Sequence, residues 1–198
     1  MNSDDEASVS PDQLPWPRSG DQLFGPGDDW HNNAFVNSCF DSWDLRASGF
    51  LEAAKILVKE NVNSRRSPDA VVYPIAFLYR HYLELRLKAI TIQGQELLNR
   101  RAEIPMVHDL KVLWKTARKK EPVEAVEESI VQFCNLDRHS LAFRYPTDKS
   151  GNRLLPPLKL LNVRQLGEVM ERISKFLESV SSGIAEYFRI SQENQQND

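Results

Sequence analysis

The residues best suited to chemistry lie in three short stretches. Arg80, Glu84 and Lys88 are spaced four apart and form a ladder of alternating charge on one helix face, with His81 and Arg86 beside them in sequence. Asp137, Ser140 and Arg144 continue an apolar row of Val126, Ile130 and Phe133 at the same helical spacing, so an inward face turns polar without a break in period. Buried polar groups left without hydrogen bonds cost about 1–3 kcal/mol each, so this trio must find partners, and the ladder can supply them. Two outcomes stand side by side. Asp137 pairs with Arg80 or Arg86 and pins two helices together, or the two polar rows line a pocket or cationic cleft that includes Tyr145 and Asp148. The third stretch holds Arg101 and His108.

Other chemistries lack their residues. There is no glycine-rich phosphate loop, no paired cysteine motif, no His-Glu-x-x-His and no Gly-x-Ser-x-Gly. His81 and Glu84 have the three-residue spacing used in di-metal bundles, but those sites need the pair twice, with further carboxylates. Neither a metal nor a cofactor is expected. Cys39 and Cys134 cannot build a disulfide framework.

Helices must position these groups. Val36, Phe40, Trp43, Ala47, Phe50, Ala54 and Leu57 form one stripe, which predicts a helix from an Asp28 or Asp29 cap to about Glu60. Gly49 weakens it by roughly 1 kcal/mol relative to alanine. A second helix is predicted over 68–93 with Val71, Ile75, Leu78, Tyr82, Leu85, Ala89 and Ile92 on one side. Phe77, Leu83, Leu87 and Ile90 fill most of the rest, which makes it the central helix. Pro74 should kink it near its start and Gly94 should end it. A shorter helix follows over Met106–Lys120, and a fourth starts at Pro122 with Val123, Val126, Ile130 and Phe133 inward. Asn162 with Gln165 predicts a capping box for a last helix running to about Phe188. Before it, Phe143–Tyr145 and Arg153–Leu155 flank Asp148-Lys149-Ser150-Gly151-Asn152, a loop or small hairpin. The fold class is all-α: a helical bundle with two long antiparallel-type helices, the central one apolar on most sides, and a short loop or hairpin before the last helix.

The chain has 198 residues, 41% hydrophobic and 27% charged, with a net charge of −3. That suffices for one core and excludes a wholly disordered chain. No apolar run reaches the roughly 18 residues of a membrane span, and no secretory signal opens the chain, so a soluble cytoplasmic protein is expected. Residues 1–27 hold four prolines, three glycines and a marked excess of acids over Arg18. They read as an acidic tail, or as an arm docked through Trp16 and Phe24. Residues 191–198 read as a polar tail that frays, leaving 28–190 as the bundle. Between Arg80 and Lys120 ten bases face four acids, and between Asp137 and Arg164 six face two. Such basic segments suit a polyanion, and Lys115, Arg118, Lys119 and Lys120 crowd one helix end where they also complement its dipole.

The phrases Tyr79-Arg80-His81-Tyr82-Leu83-Glu84-Leu85-Arg86-Leu87-Lys88, then His108-Asp109-Leu110, then Asp137-x-x-Ser140-x-x-Phe143-Arg144-Tyr145-Pro146-x-Asp148 resemble the HEPN (higher eukaryotes and prokaryotes nucleotide-binding) helical bundles. The resemblance covers about 29–190. It implies a bacterial toxin–antitoxin, antiviral-defence or CRISPR-associated setting, and a dimer. Active members are metal-independent ribonucleases with an Arg followed four to six residues later by a His. Here Arg144 sits where the late arginine falls, but Asp148 follows it and His139 precedes it. The literal match, Arg101 to His108, spans Pro105 in an inter-helix stretch. The departure implies a HEPN-like module without catalysis that binds nucleic acid, nucleotide or a protein partner. The alternatives are a metal-independent endoribonuclease acting as a dimer, for which the resemblance implies a base at His108, or at His81 or His139, and Arg101 or Arg144 stabilising charge on the phosphorane, and a structural dimerisation module or antitoxin.

Overall fold

The computed structural model describes residues 23–36, 39, 41–64, 67–118, 124–158 and 160–196. Trp16, Phe40, Arg65, Arg66, Lys119, Lys120, Pro122 and Lys159 lie outside these. So do the docking of an arm through Trp16 and the far end of the Lys115–Lys120 cluster. Among the described residues the fold is all-helical: α1 (Trp43–Ser64), α2 (Val72–Leu97), α3 (Leu110–Ala117), α4 (Glu124–Leu136) and α5 (Val163–Gln196). The one β feature among the described residues is an isolated antiparallel bridge, Thr147 to Arg153. The chain divides into two compact units, 1–38 and 39–198.

In the first unit the helix expected from Asp28 or Asp29 is absent. Trp30–Asn32 forms a single 3₁₀ turn, and Asn33 is extended. The Asn33 side chain bonds both the N–H and the carbonyl of Gly27, at 2.8 Å each, which offers the backbone an alternative to helix. Val36, assigned to the core stripe, is exposed, as is Phe24.

In the second unit α1 starts at Ser42, whose hydroxyl accepts the Leu45 N–H at 3.1 Å. From there the expected stripe holds, with Ala47, Leu51 and Ala54 buried. Pro74 falls in the first turn of α2, where its missing N–H has no helical partner to lose. Gly94 does not end α2. The helix continues to Leu97, and Asn99 takes the left-handed turn (φ 53°). The third helix is shorter than expected and starts at Leu110, because the Asp109 side chain caps the Lys111 N–H at 2.9 Å. The last helix runs past Phe188 to Gln196.

Every residue from Tyr82 to Thr91 is buried, so α2 is the centre, and it packs against α1, α3 and α5. Asp44, near the start of α1, bonds Arg86 and Gln93 near the end of α2, so these two helices are antiparallel. Ser181 donates to Gln93 at 2.7 Å and Gly167 lies beside the Tyr79 hydroxyl, so α5 runs parallel to α2. No helix among the described residues is long and apolar enough to cross a membrane.

Candidate functional site

The centre of the site is Arg80, whose side chain is fully buried. Its Nη1 donates to Glu84 Oε2 at 2.9 Å, one turn along α2. Its Nε donates to the carbonyl of Asp137 at 3.0 Å, and its Nη2 to the carbonyls of His108 (2.5 Å) and Arg138 (3.3 Å). One guanidinium thus ties the central helix to the stretch entering α3 and to the turn leaving α4. Its planar fork of donors allows three directions to be served at once.

Glu84 is the hub for the remaining charges. Its Oε1 accepts from Lys88 Nζ at 3.0 Å and lies 2.7 Å from His108 Nδ1. Burial pushes the Glu84 carboxyl up, but the hydrogen bonds from Lys88, Arg80 and His108 outweigh it and hold the group below the usual glutamate range. An ionised carboxylate only accepts, so His108 Nδ1 carries the proton and a neutral ring leaves Nε2 as an acceptor. The His108 side chain is 67% exposed although its partner is buried. A surface imidazole is therefore oriented from beneath by a fixed carboxylate.

Asp137 shapes the neighbouring surface. The α4 helix ends at Leu136 instead of continuing through the polar row. Asp137 Oδ1 then accepts the N–H groups of Leu141 (2.7 Å) and Ala142 (3.1 Å). Ser140 adopts φ 62°, a left-handed conformation a serine takes only under constraint, and this reversal aims the two amides back at the carboxylate. Asp137 Oδ2 is buried without a hydrogen bond and lies 3.7 Å from Arg80 Nε. The turn leaves Arg138 and His139 exposed. Arg138 Nε donates to Asp109 Oδ2 at 2.7 Å, joining the end of α4 to the cap of α3. Burial raises the Asp109 carboxyl, but Arg138 and the α3 amides bring it below its ordinary range.

Of the expected binding residues, Arg80, Glu84, Lys88 and Asp137 meet in this network, and Ser140 is buried beside it. Asp137 pairs with Arg80 and not with Arg86, which is engaged by Asp44 of α1. Arg144 does not complete an inward trio. It is exposed, with its guanidinium 5.7 Å from the Phe77 ring and 5.3 Å from the Tyr145 ring. His81 stacks on Phe77 at 5.6 Å and meets Phe50 edge-on at 4.4 Å. Its pKa is lowered, first by burial and further by Arg80, Lys88 and Arg144, with Glu84 opposing. Asp148 closes its own loop by accepting the N–H groups of Ser150 and Asn152. Arg101 is exposed, and its side chain forms no hydrogen bond or ion pair among the described residues. Sequence reasoning passed over Arg138 and Asp109 as site residues. The available signal was the position of Arg138 beside a buried turn acid and of Asp109 at a helix start.

Comparison of the chain with known family models, with curated proteins and with solved structures gives no match.

Proposed function

We propose that this chain is a HEPN-like helical module that binds nucleic acid, acting in the cytoplasm of a prokaryotic defence or stress system and working as a homodimer. One observation carries the reading: His108, Arg138 and His139 form an exposed cationic and imidazole surface seated on a buried network whose own charges balance. Arg80 and Lys88 are matched by Glu84 and Asp137, so the buried cations are spent on the fold. Phosphate would meet the exposed imidazoles and Arg138, whose Nε is held by Asp109 and whose terminal nitrogens make no hydrogen bond among the described residues. Arg80 holds the backbone on both sides of that surface, which preorganises it. Binding of a labelled RNA, followed by anisotropy against salt, tests this. Affinity should fall steeply with salt, and Arg138→Glu should weaken binding and flatten the slope. Binding to neither RNA nor DNA at low salt rejects the reading in favour of a protein partner.

A second reading, metal-independent RNA cleavage, is favoured by the 2.7 Å contact of His108 Nδ1 with Glu84. With Nδ1 held as the donor, Nε2 would take the proton of a ribose 2′-OH as that oxygen attacks phosphorus and the 5′-oxygen leaves. Arg138 is the nearby cation for charge on the phosphorane. Incubation with RNA in EDTA should then yield 2′,3′-cyclic phosphate ends, and His108→Ala should abolish cleavage while weakening binding less than Arg138→Glu does. Intact RNA after such incubation leaves the module non-catalytic.

A further inference from the structure

A second surface lies along the loop that follows α4. The side chains of Tyr73, Arg144, Tyr145 and Arg153 line a cleft of about 1230 Å³, floored by Phe143 and closed by the 154–158 segment. Among the described residues, none of those lining it is acidic. Arg144 is fixed by its Nε, which donates to the Ser140 carbonyl at 2.6 Å, while its terminal nitrogens make no ion pair among the described residues. The same guanidinium lies within cation–π range of both the Phe77 and the Tyr145 ring. His81 stacks on Phe77, and the Arg144 guanidinium contacts both Phe77 and Tyr145, so a chain of ring and cation contacts runs from His81 to the cleft. Tyr145 is 52% exposed, and Tyr73, which also lines the cleft, is 47% exposed.

We infer that this cleft takes the unstacked bases of a single-stranded nucleic acid, with a base on the open side of Tyr145 and its phosphates against Arg144 and Arg153. The inference deepens the nucleic-acid reading above and rests on it. Three observations fix the class of ligand. Aromatic rings backed by a cation bind planar, electron-rich groups. Two arginines with no acid beside them select an anion. The cleft also exceeds the roughly 300–1,000 Å³ of a small-molecule pocket, which suits consecutive nucleotides better than one free nucleotide. A duplex cannot offer a base face to Tyr145, because its bases are already stacked.

Anisotropy of a labelled 12-residue oligo-uridine tests this on the full chain, with the same strand annealed to its complement and with uridine monophosphate as competitor. The single strand should bind at least about tenfold more tightly than the duplex. Tyr145→Ala should weaken single-strand binding by about tenfold, and Tyr145→Phe should restore it. Tyr145 is exposed, and unchanged melting of the two variants confirms folding. If the duplex binds equally, or if Tyr145→Ala has no effect while Arg138→Glu does, the cleft inference falls and the nucleic-acid reading stands. Displacement by uridine monophosphate at the strand's own affinity per nucleotide reassigns the cleft to a free nucleotide and overturns the strand assignment. Binding of neither strand form overturns the reading and the inference together.

Discussion

Arg80 holds together three segments far apart in sequence, and its environment makes the consequences of losing a partner calculable in sign. Arg80 and Asp137 are both buried, so removing Asp137 takes away one of the two carboxylates facing the guanidinium and leaves Glu84 alone to balance Arg80 and Lys88. Asp137→Ala should cost about 3–5 kcal/mol in urea unfolding, since it also strips the Leu141 and Ala142 amides of their acceptor. A change within error would show that the carboxylate does not hold the turn. The pH response follows from two groups whose shifts share a direction. His81 has its folded pKa below the model-compound value of 6.5, so the unfolded chain binds more protons. Stability is then whole above that pH and falls as pH drops through the folded pKa. Glu84 has its folded pKa below 4.5, so its contribution is present above 4.5 and lost as pH falls further. Melting temperature should therefore decline in two legs, the first beginning below about pH 6.5, and His81→Phe should remove that first leg. A melting temperature unchanged between pH 7 and pH 5 would contradict the burial argument for His81.

At the scale of helices, close approach sets the tolerances. A methyl group added at Gly167 would lie 2.9 Å from Val58 Cγ1, so α5 touches α1 there with no room to spare. Gly167→Ala should destabilise by about 1–3 kcal/mol through overpacking. Gly49 has open space around it in mid-helix, and Gly49→Ala should stabilise by up to about 1 kcal/mol. Thermal or urea unfolding of both variants checks the opposite signs. The elements were readable in sequence wherever an apolar stripe also found a neighbour. The α2 stripe did, and so did α1 from Trp43 onward. The failures came where local polar chemistry competes with periodicity. Asn33 folds back on Gly27, Asp109 delays the start of α3, and Asp137 stops α4 and captures two amides. Periodicity counts positions and is blind to such captures, which is why the inward row from Asp137 was expected to extend to Arg144. The ladder of Arg80, Glu84 and Lys88 was legible as a face. That it is buried and joined by His108 follows only from the meeting of distant segments, which no local spacing encodes.

At the scale of the molecule, the proposed pairing of two chains has a direct check. Light scattering at micromolar concentration should give twice the chain mass, and a clean monomer would remove any composite site between copies. The parallel register of α2 and α5, fixed by Gln93 beside Ser181, has another consequence. In that register Leu97, the last residue of α2, falls level with Ala185, while α5 continues to Gln196. Roughly eleven residues, about 16 Å of helix, run on past their partner. Tyr187, Phe188 and Ile190 on this stretch are exposed. A helical piece that short is marginal by itself, so its backbone opens without the rest of the bundle unfolding. Limited digestion with a protease that cuts after aromatic residues should therefore trim the chain after Tyr187 or Phe188 and leave a product with an unaltered melting temperature. Such a shortened chain would carry the whole of both candidate surfaces and would be the form of choice for crystallisation.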